Sequence, residues 1–196
     1  MKRIFDIVLS TIGLIIVLPF FIIIGLAIIF DSKGGVFYIQ KRVGQFNKNF
    51  NLLKFRTMGV GASKFGLLTV GNKDSRVTKV GYFLRKYKID ELPQLINVFL
   101  GDMSFVGPRP EVRKYVDLYT IEQQEVLSMK PGITDYASIQ FRNENELLSK
   151  VEDPEKYYIE TIMPEKLKIN LIYFKNVSIF TDFKILFLTF KVIFSK

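Results

Sequence analysis

The stretch Ile7–Phe30, IVLSTIGLIIVLPFFIIIGLAIIF, carries no charged residue and decides the fold of the N-terminal part of the chain. As an α-helix it would be roughly 36 Å long, enough to cross a hydrocarbon core of about 30 Å. A secretory signal peptide fits less well, because the apolar run is too long and the following FDSKGG offers no small-residue cleavage site. The stretch therefore predicts a membrane helix.

Pro19 and the flanking charges bear on how this helix meets the membrane. A proline near the middle of the run removes a backbone hydrogen bond and bends a helix. Basic residues flank the run on both sides, whereas a spanning helix usually concentrates positive charge on the cytoplasmic side. We therefore predict a re-entrant helix-break-helix with its break at Pro19, and a single-pass anchor is the alternative. The flanking basic residues are Lys2, Arg3, Lys33, Lys41 and Arg42.

Composition limits the chemistry of the remaining chain. The 196 residues suffice for one domain with a core and an appendage. A net charge of +9 with 48% hydrophobic residues fits an anionic membrane surface or a phosphorylated substrate. The sequence contains neither cysteine nor histidine, which excludes disulfides, thiolate nucleophiles, histidine bases and histidine-ligated zinc. Carboxylates, Lys, Arg, Tyr, hydroxyls and a hard cation remain.

The pattern after the apolar run predicts an α+β fold, namely a small, mostly helical domain with a short β-hairpin. Residues 36–58, VFYIQKRVGQFNKNFNLLKFRTM, indicate two short strands around the polar turn GQFNKN. Residues 59–76 are rich in Gly, Ser and Asn and indicate a loop. Thr78 is a candidate N-cap for a short helix that ends near Lys88.

The segment 88–111, KIDELPQLINVFLGDMSFVGPRPE, carries two adjacent carboxylates. Its apolar spacing predicts a helix from about Glu91 to Leu100, with Asp90 as N-cap and Pro93 in the first turn. The ordinary interpretation is that the two acids cap the helix and compensate its dipole.

Basic residues around this segment favour a functional interpretation. Arg109 lies between two prolines that restrict its backbone, which suits bidentate contact with phosphate oxygens. The alternative is a solvated arginine in a proline-rich turn. Further candidate phosphate ligands lie in loops or near the ends of elements: Lys54, Arg56, Arg76 and Arg85.

Three segments carry a resemblance to a known family: QKRVGQFNKNFNLLKFRTM, DSRVTKVGYFLRKYKIDELPQLINVFLGDMSFVGPRPE and LSMKPGIT. In this order they resemble the bacterial sugar transferases, monotopic phosphoglycosyl transferases that load a phosphosugar onto polyprenyl phosphate. The resemblance implies transfer from a UDP-sugar to polyprenyl (undecaprenyl) phosphate, which gives polyprenyl diphosphate-sugar and UMP. It further implies a ping-pong mechanism through a covalent aspartyl-phosphosugar, as the first membrane step of bacterial glycoconjugate assembly.

The resemblance also implies roles for individual residues. Asp90 corresponds to the family's nucleophile, Glu91 to the neighbour that helps it hold Mg²⁺, and Arg109 to an arginine that contacts phosphate. Other positions that match the family's motifs are Lys54, Arg85, Arg142 near the sugar-nucleotide site, and Asp182.

The location of the protein follows from the same resemblance. It implies that residues 1–31 form a re-entrant anchor and residues 32–196 a cytoplasmic and interfacial catalytic domain, on the cytoplasmic face of the bacterial inner membrane. The expected partners are a UDP-sugar, polyprenyl phosphate and membrane lipids, and nucleic acid is not expected because no groove-reading motif is present. The oligomeric state, with a homodimer among the alternatives, is left open.

The sequence departs from the family pattern at several positions. Leu18 precedes Pro19 where relatives commonly have serine, and Asn170 stands where a carboxylate is frequent. The chain reads GITDYASIQF where many relatives have Gly-Ile-Thr-Gly, and residues 143–165 form a longer segment of open role. The identity of the sugar, the length of the lipid and the pathway therefore do not carry over from the family.

The C-terminal stretch has two interpretations. Phenylalanines recur at spacings of three and four, and Lys184 and Lys191 lie one heptad apart. Such a helix suits the membrane interface as an interfacial amphipathic helix, or it packs the aromatic stripe into the core. A non-enzymatic, membrane-anchored basic scaffold remains the rival function, although it leaves the Asp90–Glu91 pair unexplained. The stripe comprises Phe180, Phe183, Phe187, Phe190 and Phe194.

Overall fold

The computed structural model describes residues 2–62 and 74–194 and has the predicted α+β architecture. Its strands are β1 Phe37–Val43, β2 Asn49–Phe55, β3 Ser104–Val106 and β4 Gly132–Thr134. Its α-helices are α1 Lys2–Asp31, α2 Lys79–Lys86, α3 Gln94–Leu100, α4 Arg113–Val116, α5 Ile121–Gln124, α6 Tyr136–Gln140, α7 Glu144–Leu148, α8 Pro154–Tyr157, α9 Met163–Lys175 and α10 Ile179–Phe194. Short 3₁₀ turns cover Gln45–Asn47, Ile89–Glu91 and Glu125–Ser128, and Tyr158–Ile162 is π-helical.

α1 is a single helix that continues through Pro19, where the sequence predicts two helices around a break. The proline removes one backbone donor, and the turns before and after it remain helical. By length and composition this helix is able to cross a membrane. The re-entrant path remains a prediction.

Both ends of α1 are bound to the same domain. At its N-terminal end, Arg3 donates hydrogen bonds of 2.6 and 2.7 Å to the carbonyl oxygens of Val98 and Phe99, the last turn of α3. At its C-terminal end, Asp31 accepts a hydrogen bond of 3.0 Å from the backbone N–H of Val80 in α2. α1 therefore lies along the domain and contacts it from end to end.

The predicted hairpin is confirmed: β1 and β2 pair antiparallel around the 3₁₀ turn. The side chain of Asn97 joins α3 to this hairpin. Its Oδ1 accepts from the N–H of Leu53 at 3.0 Å, and its Nδ2 donates to the carbonyl of Asn51 at 2.8 Å. Because Lys54 follows directly in β2, this contact sets Lys54 beside the segment that precedes α3.

A two-stranded parallel pair, β3 and β4, positions the chain at Arg109. The N–H of Gly107 bonds to Thr134, and the N–H of Gly132 bonds to the carbonyl of Pro108 at 2.9 Å. A Cβ at Gly132 would overlap the backbone of Gly107, so only glycine permits this close approach. The sequence did not predict this pair, because each strand is three residues long.

The longer segment 143–165 contributes to the hydrophobic core. Its buried members Leu148, Tyr158 and Ile162 pack with Leu167 of α9. A separate cluster joins α1 to the hairpin and α2 through Ile28, Phe55 and Leu84.

α10 presents the aromatic stripe to the outside. Phe180 is 84% exposed and Phe187 70%, whereas Ile185 on the opposite face is fully buried. Of the two interpretations from sequence, packing of the stripe into the core is wrong for the phenylalanines whose side chains the structure describes. The exposed members are Phe180, Phe183, Phe187 and Phe190.

Candidate active site

Asp90 and Glu91 lie in the 3₁₀ turn that precedes α3. Lys88 adopts a left-handed conformation with φ of 57°, which turns the chain after α2. The predicted N-cap role of Asp90 is therefore wrong: Pro93 occupies the N-cap position of α3. The left-handed residue and the extra turn shift the start of the helix past both acids.

Glu91 is the centre of a charged cluster. Its Oε1 accepts a hydrogen bond of 3.0 Å from Lys54 Nζ and pairs with the Arg109 guanidinium, whose NH1 reaches Oε2 at 3.1 Å. Burial alone would raise the pKa of Glu91, but Arg109 and Lys54 outweigh burial and hold that pKa well below 4.5. Glu91 is therefore an anion that fixes two cations.

Asp90 differs from its neighbour, because it is buried and one of its oxygens lacks a partner. The residue is 6% exposed, and Oδ1 has no hydrogen bond. Burial raises the pKa of the Asp90 carboxyl, and the charge of Glu91 raises it further, against Lys54 and Lys88. A buried carboxylate oxygen without a donor is costly to maintain, and such groups are concentrated at functional sites.

Arg109 is held by its backbone as well as by Glu91. Its N–H donates to Asp135 Oδ2 at 3.0 Å, while Asp135 Oδ1 caps α6 by accepting from the N–H of Ser138 at 2.5 Å. The charge of Glu91 raises the pKa of Arg109, with smaller contributions from Asp135 and Asp90. Asp135 was missed from sequence, although it stands where GITDYASIQF departs from the family pattern.

One further cation, Arg85, faces the acidic pair. Arg85, in α2, donates a hydrogen bond of 2.9 Å to Thr57 Oγ1. Burial lowers the pKa of Arg85 and the charge of Asp90 opposes this effect. Burial likewise lowers the pKa of Lys54, against the charge of Glu91. The cluster thus combines two acids with three bases in a poorly solvated place.

These side chains line one cavity with a volume of about 1140 Å³. Its polar wall includes the residues of the cluster, and α6, α9 and α10 contribute another part of the lining. Arg142 also lines the cavity. The predicted site residues that the structure brings together here are Lys54, Arg85, Asp90, Glu91, Arg109 and Arg142.

Arg56 and Arg76 do not belong to the lining of this cavity. The Arg56 guanidinium donates to Ser32 and to the carbonyls of Lys33 and Gly35, so it fastens the connection between α1 and β1. Arg76 forms a two-pronged ion pair with Asp74, with NH2 to Oδ2 at 2.6 Å. The predicted loop 59–76 falls partly outside the described residues.

Asp182 also lies outside the cavity lining. It is buried, accepts 2.5 Å hydrogen bonds from Lys2 Nζ and from the hydroxyl of Tyr173, and so ties the N-terminal end of α1 to α9 and α10. Its geometry is that of an anchor between helices.

A second polar group in the cavity wall was missed from sequence. Glu111 accepts a hydrogen bond of 2.8 Å from Arg42 NH1 and another from the hydroxyl of Tyr158. Arg42 lies in the segment QKRVG and Glu111 in GPRPE. Their place in these motifs was the signal that could have identified them.

The chain matches a known protein family and several named relatives. The family model described as bacterial sugar transferase matches residues 1–196. A UDP-glucose:undecaprenyl-phosphate glucose-1-phosphate transferase of Klebsiella pneumoniae is 38% identical over 192 residues, which cover 96% of this chain and 39% of the relative. A UDP-N-acetylgalactosamine-undecaprenyl-phosphate N-acetylgalactosaminephosphotransferase of Aeromonas hydrophila is 34% identical over 98% of this chain and 43% of the relative.

A shorter relative is matched over most of its own length. The protein named uncharacterized sugar transferase EpsL of Bacillus subtilis (strain 168) is 38% identical over 96% of this chain and 85% of the relative. The chain thus spans about two-fifths of the length of the two larger relatives. Since the family model covers every residue from 1 to 196, the chain belongs to the bacterial sugar transferase family.

Proposed function

We propose that the protein transfers a phosphosugar from a UDP-sugar to undecaprenyl phosphate, with Asp90 as covalent nucleophile. The names of two relatives support the general reaction, since both are undecaprenyl-phosphate sugar phosphate transferases. The single observation that carries the residue assignment is the buried Asp90 carboxylate, whose Oδ1 lacks a partner in a cavity lined by cations.

In the first step an Asp90 oxygen attacks the phosphorus that bears the sugar. The new bond joins this oxygen to phosphorus, the bond from phosphorus to the bridging oxygen breaks, and UMP leaves with that oxygen and its electron pair. Lys54, Arg85 and Arg109 would surround the negative oxygens of the diphosphate. Glu91 would not attack, because Lys54 and Arg109 balance its charge. Its Oε2 accepts a hydrogen bond from Arg109 NH1 and keeps a lone pair for a metal ion.

In the second step an oxygen of undecaprenyl phosphate attacks the same phosphorus. The bond from phosphorus to Asp90 breaks, and the free carboxylate is restored. A phosphate monoester has a second pKa of about 6 and is largely ionised at neutral pH, so its attack needs no general base. The reaction therefore suits a chain without histidine or cysteine.

A magnesium ion fits the acidic pair, with Asp90 and Glu91 as the residues that would hold it. Mg²⁺ in phosphate chemistry is usually bound by one or two carboxylates together with substrate oxygens. The partnerless Oδ1 of Asp90 is a hard oxygen donor of the required kind. Among the described residues no group of three acidic ligands is found, so substrate oxygens and water would have to complete the coordination. The bound ion would neutralise charge on the leaving phosphate.

The proposed site is on the cytoplasmic face of the inner membrane, in a monotopic protein. Contacts at both ends of α1 with one domain support this topology, because a straight spanning helix would carry one end to the other side. The exposed phenylalanines of α10 would enter the same leaflet.

Incubation with UDP-sugars labelled in the sugar, without lipid acceptor, tests the proposal. We expect one labelled phosphosugar per protein and a burst of UMP, and we expect neither from Asp90→Asn, whose turnover should fall by several orders of magnitude. Product formation without an adduct would overturn the covalent mechanism. Failure to form product from any UDP-sugar with undecaprenyl phosphate would overturn the transferase assignment and favour the scaffold.

A further inference from the structure

Buried polar atoms without partners are concentrated in the cavity wall. Among the described residues four buried side-chain atoms lack a hydrogen-bond partner. Three of these atoms belong to residues that line the cavity: Asp90 Oδ1, Ser138 Oγ and Asn170 Oδ1. An unsatisfied buried polar group is unfavourable, so a ligand that completes its hydrogen bond gains affinity.

Neighbouring polar groups in the same wall are satisfied within the protein. Thr134 and Thr189 also line the cavity and bond to each other at 2.7 Å. Lys166 and Glu144 form an ion pair of 2.9 Å. The lack of a partner thus distinguishes Ser138 and Asn170 from the polar residues around them.

The chemistry of the two groups suits a ligand with hydroxyl groups. The Oδ1 atom of Asn170 only accepts hydrogen bonds. Phosphate oxygens at neutral pH also mainly accept, so they are unsuitable partners for this atom. Asn170, which is 5% exposed, therefore requires an O–H or N–H from the ligand. Ser138 Oγ both donates and accepts, as sugar hydroxyls do.

The position of Ser138 relates this pair to the phosphate end of the cavity. Ser138 N–H and Arg109 N–H bond to the two oxygens of the same carboxylate, Asp135. In the proposed reaction Arg109 contacts the phosphate that carries the sugar. The sugar ring is bonded directly to that phosphate, so it would extend from the phosphate towards α6, which Asp135 links to the backbone of Arg109.

We propose that Ser138 and Asn170 form the glycosyl subsite and select the sugar by hydrogen bonds to its ring substituents. This inference rests on the proposed function and deepens it. The relatives differ in sugar, glucose in one and N-acetylgalactosamine in another, so selection must reside in residues that vary.

The test measures binding without turnover, in the Asp90→Asn protein. Combined with Asp90→Asn, either Asn170→Ala or Ser138→Ala should weaken binding of the preferred UDP-sugar by about 3- to 10-fold. Binding of UMP should be unchanged. Asn170→Asp keeps an acceptor oxygen and should retain affinity for the UDP-sugar. A UDP-sugar that lacks the contacted hydroxyl should bind Asp90→Asn more weakly, yet lose nothing further on Asn170→Ala.

Two controls are exposed and lie outside the cavity lining: Asn176→Ala directly after α9 and Ser149→Ala directly after α7. Neither should change the affinity for UMP or for the UDP-sugar. Equal weakening of UMP and UDP-sugar by Asn170→Ala would assign the subsite to the nucleotide and overturn the inference. Weaker UMP binding in Asn170→Asp alone would indicate that a phosphate lies beside residue 170. This result would also overturn the inference. The inference is also contradicted if the ratio of UDP-sugar affinity to UMP affinity is unchanged in both alanine variants. A protein that binds neither ligand would contradict the proposed function itself.

Discussion

We expect the buried Asp90 carboxylate to lower the stability of the folded protein. We expect Asp90→Asn to raise the free energy of unfolding at neutral pH by on the order of 1 kcal/mol, because it removes a charge from a buried position while the side chain keeps its shape. The folded pKa of Asp90 is raised, so wild type loses stability as pH rises from the unfolded value towards the folded one. The gain should therefore shrink on acidification.

Thermal unfolding of both proteins between about pH 3 and pH 8 measures this difference. Asp117→Asn, an exposed carboxylate at the end of α4, is the control and should change stability by less than about 0.5 kcal/mol. A variant Asp90→Asn that is no more stable than wild type at neutral pH would contradict the account of a strained carboxylate.

Glu91→Gln should destabilise the protein far more than the loss of a charge near a helix start, which is worth about 0.3–1 kcal/mol. Removing one partner of a buried pair costs about 3–5 kcal/mol, and here Lys54 and Arg109 both lose their anion. Because the pKa of Glu91 is depressed, this stabilisation is present at neutral pH and is lost as pH falls below about 4.5.

Denaturant unfolding measures the loss, with Glu155→Gln as the matched control. Glu155 pairs with Lys114 at an exposed position, so its loss should cost less than about 1 kcal/mol. Equal effects of the two substitutions would show that Glu91 does not hold the cluster together.

Elements with strong local signals were predictable from sequence. The hairpin and the Thr78 N-cap of α2 each carry such a signal, and the structure confirms both. The apolar run is helical as predicted, but α1 continues through Pro19 without the predicted break. Asp90 was misplaced because a left-handed Lys88 is not encoded in apolar spacing. The parallel pair β3–β4 depends on contact between segments remote in sequence, so no local pattern reveals it.

Residues of the site were predictable only where a motif marked them. Asp90, Glu91 and Arg109 lie in quoted motifs and meet in one cavity. Arg56 belongs to a motif too, yet it binds the chain at Ser32, which spacing does not reveal. Asn170 and Ser138 stand out through unsatisfied burial alone, a property of the packed structure.

The faces of α10 should respond to substitution in opposite ways. Phe180→Ser with Phe187→Ser should reduce sedimentation with vesicles containing anionic lipid and change the free energy of unfolding little, because both side chains are exposed. Ile185→Ala should cost about 2–5 kcal/mol of stability, because that side chain is fully buried. Vesicle binding that is unaffected by the double substitution would contradict an interfacial role for the stripe.

At the scale of the whole molecule, the cysteine-free sequence permits a direct test of topology. Single cysteines at Lys2 and Lys33 flank the apolar run, and Lys48→Cys in the hairpin turn reports the side of the domain. In intact cells all three should resist a membrane-impermeant thiol reagent and should react after the inner membrane is opened. Reaction of position 2 alone in intact cells would establish a spanning helix.

The hydrogen bonds at the two ends of α1 also decide whether a water-soluble fragment is attainable. Arg3 satisfies carbonyls at the end of α3, Asp31 satisfies an N–H at the start of α2, and Ile28 is part of the core. Removal of residues 1–31 would leave these groups without partners and open the core beside Phe55. Solubility is therefore better sought by substituting the outward-facing apolar side chains of α1, which leaves the helix in place as a structural component of the site.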